Sequence, residues 1–157
     1  NNDDGMEITI TGSVPMVEGL DVGVGYANLD AYDASTGPIG QIEGTYYVKY
    51  ATGPVSIGYQ RGVVNNSSGT ADTMYDNRYI GISYKISDDL SVSYNEMESN
   101  KDVSKTGTNV DQDFDSISLS YSVGGMVFGI ADADVSNASY NTGRTQEATT
   151  VSMSIAF

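Results

Sequence analysis

Hydrophobic and polar residues alternate one by one along most of this chain, and the alternation returns in nine separate segments. Successive side chains of a β-strand point to opposite faces, so a period of two predicts strands with one apolar and one polar side. The segments run over 5–13, 20–29, 41–51, 55–63, 78–86, 90–95, 115–123, 126–133 and 148–157. In the seventh, Ile117, Leu119, Tyr121 and Val123 oppose Ser116, Ser118, Ser120 and Ser122. In the ninth, Val151, Met153, Ile155 and Phe157 oppose Thr150, Ser152, Ser154 and Ala156. The eighth has Met126, Phe128 and Ile130 in the apolar phase, which leaves Asp132 on the same side at the segment's end.

A half-exposed soluble sheet shows the same alternation, so the connections have to separate the two readings. Tight turns follow segments one, three, five and seven. Polar stretches follow two, four, six and eight, the longest being 97–113. Outer-membrane barrels have this asymmetry, with short periplasmic turns and longer extracellular loops. A strand of about 9–11 residues tilted by about 45° crosses a bilayer, and no apolar run approaches the ~18 residues of a transmembrane helix. The pattern therefore predicts an all-β, antiparallel transmembrane β-barrel of nine strands, forming a single domain over 1–157.

Parity adds a second expectation. If the tight turns are periplasmic, the first strand begins outside and the last ends at the periplasmic side. Bacterial barrels have an even number of strands, so the nine are expected to be the carboxy-terminal part of a larger barrel. Tyr50, Tyr84, Tyr121 and Phe157 each stand near a tight turn or the chain's end on the apolar face. They are expected to form a membrane-interface belt, where amphipathic rings are favoured.

Composition narrows the function. Twenty-one acidic against seven basic residues give a net charge of −14, whereas nucleic-acid binding needs a basic footprint. With no His and no Cys, His-based triads and thiol nucleophiles are impossible, and the protein is expected not to be an enzyme. Asp111, Asp113 and Asp115, and Asp132 with Asp134, have the every-other-residue spacing of oxygen ligands. The calcium-loop pattern with its central Gly and terminal Glu is missing, so these are expected to be solubilising loop charges, and neither metal nor cofactor is expected. On the polar face, Lys49, Lys85, Glu43, Asp21, Gln41 and Gln60 are the expected pore-lining residues. Arg61 and Arg78 fall in the apolar phase at its outer end, where rim placement beside lipid phosphates is expected.

The segments VEGLDVGVGYA (17–27), YATGPVSIGYQ (50–60), YIGISYKISDDLSVSYNE (79–96) and ISLSYSVGGMVFGIADADVSN (117–137), with the terminal Phe157, resemble the second half of a Gram-negative general porin. The resemblance spans nearly the whole chain and implies a barrel of about 16 strands, trimeric and water-filled, that passes ions and small hydrophilic solutes across the outer membrane. It places the strand at Gly5 eighth in that barrel, a downward strand in agreement with parity. It implies outer-membrane lipid and lipopolysaccharide as surroundings, a homotrimer, and insertion by the barrel assembly machinery through the terminal strand ending at Phe157. The strands absent upstream would include the inward-folded constriction loop and most of the trimer contacts.

Two other readings fit less of the pattern. A small eight-stranded barrel over 20–157 has an interior filled by side chains, and the inward Gly and Ser residues do not fill one. A soluble binding module, such as an adhesin domain or lectin, needs a second layer to cover its apolar faces, and no candidate segment is present.

Overall fold

The computed structural model describes residues 4–33, 37–68, 71–104 and 106–155, with backbone alone at 31–33 and 37–38. Nine strands follow one another: β1 (Asp4–Ser13), β2 (Leu20–Asp33), β3 (Gly37–Thr52), β4 (Val55–Ser67), β5 (Thr73–Lys85), β6 (Leu90–Val103), β7 (Thr108–Val123), β8 (Met126–Ser136) and β9 (Gln146–Ile155). A 3-10 turn, Ala138–Tyr140, lies between β8 and β9. All nine strands join in one antiparallel sheet, each beside its neighbour in sequence. Two turns have only two residues between strands, and in that between β7 and β8 Gly124 and Gly125 are both at positive φ (57° and 80°). A two-residue hairpin whose twist matches its strands needs that conformation, and glycine adopts it without strain.

Register keeps chemistry on one side. Directly opposed residues share a face, and apolar residues oppose apolar ones: Val24 lies across from Tyr46, Ile57 from Ile82, Leu119 from Ile130 and Phe128 from Met153. The other face pairs Ser56 with Ser83, Ser93 with Ser118 and Ser120 with Gly129. Burial is inverted relative to a water-soluble sheet. Along β7, Ile117, Leu119, Tyr121 and Val123 are exposed, while the serines between them are half-buried. Large apolar side chains stay exposed across the sheet, Ile8, Ile82 and Val151 among them. An exposed apolar surface of this extent marks contact with a membrane or a partner. The opposite face is concave: side chains from β1 through β5, including Glu7, Thr45, Gln60 and Asn77, line one hollow of about 310 Å³.

The strands run further than the alternation predicts. β6 reaches Val103 and β7 starts at Thr108, so most of the polar stretch expected to be a loop at 97–113 is paired strand. Likewise β4 continues to Ser67 and β5 begins at Thr73. The contrast between short and long connections is thus mainly one between apolar and polar strand ends. Backbone pairing continues past the apolar band, while the convex side chains change from Ile and Tyr to Asp and Glu. The greasy band is densest in the half of the sheet that carries the tight turns, with Ile42 and Met74 as exposed apolar side chains beyond it.

Candidate functional site

The concave face is built from small residues toward the tight-turn end. One lateral row carries Ser56, Ser83, Ser93, Ser118, Ala131 and Thr150 across six strands. The next row outward carries Lys49, Gly58, Gly81, Asn95, Ser116 and Ala133. Bulk appears one row further, with Tyr47, Gln60, Tyr79, Met97 and Phe114. Tyr47 lies flat along the wall, over Gly23: a Cβ there would sit 2.2 Å from its ring. Glycine at 23 lets the ring lie against the sheet instead of projecting from it.

Each sequence-predicted polar residue lies on this face. Asp21 stands directly across from Lys49 and accepts a hydrogen bond from the Ser13 hydroxyl at 2.5 Å. Glu43 accepts from the Gln41 amide, and Gln60 donates to Thr45 Oγ1 at 3.3 Å. Lys85 ends β5 and pairs with Asp88 in the exposed turn at 3.1 Å, so its charge is partly met at the rim. Glu7 is the residue the prediction leaves out. It lines the same hollow as Glu43, and its place in the polar phase opposite Met6 and Ile8 is the signal that finds it.

On the convex face, Tyr50, Tyr84 and Tyr121 are all exposed. Tyr84 sits one two-residue step below the row of Tyr50, and Tyr121 one step below that of Tyr84. Two residues (about 6.6 Å) down for two strands (about 9.6 Å) across is a slope of about 35°, within the strand tilt of transmembrane barrels. On strands tilted that way, the three rings are level. Phe157 lies outside the described residues.

Arg61 and Arg78 face each other directly across β4 and β5, above the apolar band. Each has a carboxylate partner. Arg61 grips Asp76 through Nε (2.9 Å) and Nη2 (2.6 Å), and Arg78 reaches Glu98 at 2.5 Å. The carboxylates take the place expected for lipid phosphates. Asp76→Asn would leave two guanidinium groups opposed with one partner between them. It is expected to lower the denaturant midpoint of the folded protein in detergent, and adding Arg61→Gln is expected to restore part of the loss. Equal midpoints in all three proteins would show that the pairing contributes nothing.

The acidic residues expected in loops sit on strands. Glu96, Asp115, Asp134 and Glu147 form one lateral row on the convex face, each directly opposite the next. Among the described residues no group of acidic side chains has the geometry to hold a metal ion. Asp132, in the apolar phase as expected, accepts a hydrogen bond from Thr149 Oγ1 at 2.6 Å.

The loop after β8 does not stand out into solvent. Ser139 N–H donates to Gln112 Oε1 at 2.7 Å, and the Tyr140 hydroxyl lies 2.6 Å from Ser99 Oγ, which itself donates to Asn77. Gln112, Ser99 and Asn77 form one row of the concave face, so the loop leans inward across β7 and β6. Asn137, Ser139 and Tyr140 all have positive φ (50°, 58° and 57°), a region costing a non-glycine residue about 1–2 kcal/mol. Docking holds them there. Ala138 and Ser99, each 1% exposed, are the buried side chains of this docking point. Nothing in the sequence signals it.

No protein-family model and no curated protein matches the chain. Two solved structures share its fold, both of OmpT, an outer membrane protein of Vibrio cholerae: one folded in vitro (TM-score 0.72, 11% identity), the other expressed in the outer membrane (TM-score 0.73, 10% identity). Each match covers 96% of this chain and 52% or 54% of the OmpT chain, so the sequence spans about half the length of those structures. This overturns the expectation that the protein is not an enzyme. The shared segment is only about half of such a barrel, and the residues of one half do not decide what the whole does. The argument from His and Cys holds only for His- and thiol-based chemistry within these 157 residues. The architecture is that of the antiparallel transmembrane β-barrel, and the outer membrane of Gram-negative bacteria is the location that goes with it.

Proposed function

We propose that the chain is the carboxy-terminal wall of an outer-membrane porin, a water-filled channel for passive diffusion of ions and small hydrophilic solutes. One observation carries the reading: toward the tight turns, the side turned inward by the barrel's curvature is mainly Ser, Gly, Ala and Thr over β4 to β9, with larger side chains only further out. Side chains that small leave the interior open and offer hydroxyl and backbone groups to water. A barrel closed by packing would need bulk there. Nine strands matching about half of two outer-membrane barrels fits a complete barrel of about 16 strands. Asp21, Gln41, Glu43, Lys49, Gln60 and Lys85 are then wall residues that bias ion passage, with Glu7 added to them.

The reading brings surroundings with it. The apolar band meets lipid, the level tyrosines mark one membrane interface, and the acidic convex rim faces the lipopolysaccharide layer. A homotrimer, and recognition of the terminal strand ending at Phe157 by the barrel assembly machinery, belong to the same proposal. The test is to reconstitute the full-length protein in planar lipid bilayers. Stepwise single-channel currents are expected, with Glu43→Lys moving the reversal potential in a salt gradient toward anions. A correctly folded protein that passes no current would sink the porin reading.

A further inference from the structure

The inward loop asks for a role that the small-residue wall does not supply. It joins β8 to β9, yet its tip reaches β5, some three strand spacings (about 14 Å) from β8. Tyr140 packs on Tyr75 with ring centroids 5.5 Å apart. The Lys101 ammonium lies 5.7 Å from the Tyr75 centroid and 5.4 Å from that of Tyr140, within range of attraction to both ring faces. Lys101 and Tyr75 are directly opposed on the concave face, one row outward from Ser99. The loop therefore crosses the inner wall and holds a cation at its tip.

Resting on the porin reading above, we propose that the segment over residues 137–144 is a pore-narrowing strap of the outer half of the channel. The Tyr75–Lys101–Tyr140 cluster at its tip sets both size exclusion and the passage of anionic solutes. Three features separate this from a loop that merely tucks in. The strap is anchored at Ser99, a side chain of the sheet only 1% exposed. Its backbone is held in left-handed conformations that only fixed contacts maintain. It also places a positive charge in the path of a strongly acidic chain, where an ammonium held by two rings favours anions over cations.

The experiment uses the full-length protein in planar bilayers, with folding checked by heat-modifiable migration of the barrel. Tyr140→Ala removes the hydrogen bond to Ser99 and the ring contact. It is expected to raise single-channel conductance about twofold and to admit larger uncharged polymers. Lys101→Gln is expected to leave the conductance near the parent's while moving the reversal potential toward cations. Amide exchange gives a second readout in the parent: the Ser139 N–H is expected to exchange slowly, and quickly in Tyr140→Ala. A conducting parent whose two variants keep its conductance and reversal potential, or whose Ser139 amide is unprotected, overturns the strap. A folded parent that passes no current overturns the porin reading instead, and the strap's role with it.

Discussion

Replacing Ile82 by arginine is expected to cost about 2–4 kcal/mol of folding stability in a lipid bilayer, whereas arginine at the adjacent Ser83 is expected to cost no more than about 1 kcal/mol. The two positions differ by one residue on β5, so propensity, strand pairing and distance from the turn are nearly constant between them. Ile82 is flanked by Ile57 on β4 and Tyr94 on β6, with Ile80 and Tyr84 before and after it on its own face. Hydrocarbon surrounds that face in the barrel, and a guanidinium there has neither water nor a carboxylate within reach. Ser83 opposes Ser56 and Ser93 on the concave side, where a long cation extends into water. Equilibrium unfolding in lipid vesicles measures both. Equal penalties, or a larger one at Ser83, would mean that the serine face is the packed side.

That asymmetry was legible in the sequence because lipid leaves so little choice. A strand crossing hydrocarbon must be apolar at every second position, so Ile117, Leu119 and Tyr121 or Val151, Met153 and Ile155 announce both the strand and its face. The signal stops where the lipid stops. β6 continues through Ser99 and Asn100 to Val103, and β7 begins among Asn109, Asp111 and Asp113, yet the convex face there is polar and the concave face mixes Val110 and Phe114 with Gln112 and Ser99, so the apolar stripe that announced the strands is gone. Pairing persists because backbone groups, not side chains, make it. The strand ends were therefore read as loops, and the acids on them as loop charges.

The strap was invisible for a different reason. Its contacts join residues far apart in sequence, Tyr140 to Ser99 and Ser139 to Gln112. Of its three non-glycine left-handed residues only Asn137 belongs to a type that favours that conformation. Serine and tyrosine adopt it here because the docked loop leaves no alternative, and tertiary constraint of that kind writes no local pattern. The wall lies between these extremes. Its polar phase was readable residue by residue, but not the lateral rows that bring Glu7 and Glu43 to one hollow, because register between strands is set by the turns and the curvature together.

Narrowing the small-residue wall gives the second large effect. Ser93 and Ser118 face each other across β6 and β7 with their hydroxyls 2.7 Å apart, in the row that also holds Ser56, Ser83 and Ala131. Substituting tyrosine for both puts two rings where two hydroxyls stood. No large neighbour on the concave face covers them, since the adjacent positions Gly81, Asn95 and Gly129 are small or slender. Whether they project or lie along the wall as Tyr47 does over Gly23, the two rings take up channel cross-section, and single-channel conductance is expected to fall about twofold with stability nearly unchanged, because they displace water and not packed side chains. Truncation gives a contrast: Ser93→Ala with Ser118→Ala removes only the hydroxyl pair and is expected to leave conductance near that of the parent. If the tyrosine pair conducts like the parent, ions take a path away from β6 and β7, and the serine wall does not line the channel. If the tyrosine pair fails to fold while the alanine pair folds, the space before the wall is already filled, and the open interior on which the porin reading depends does not exist.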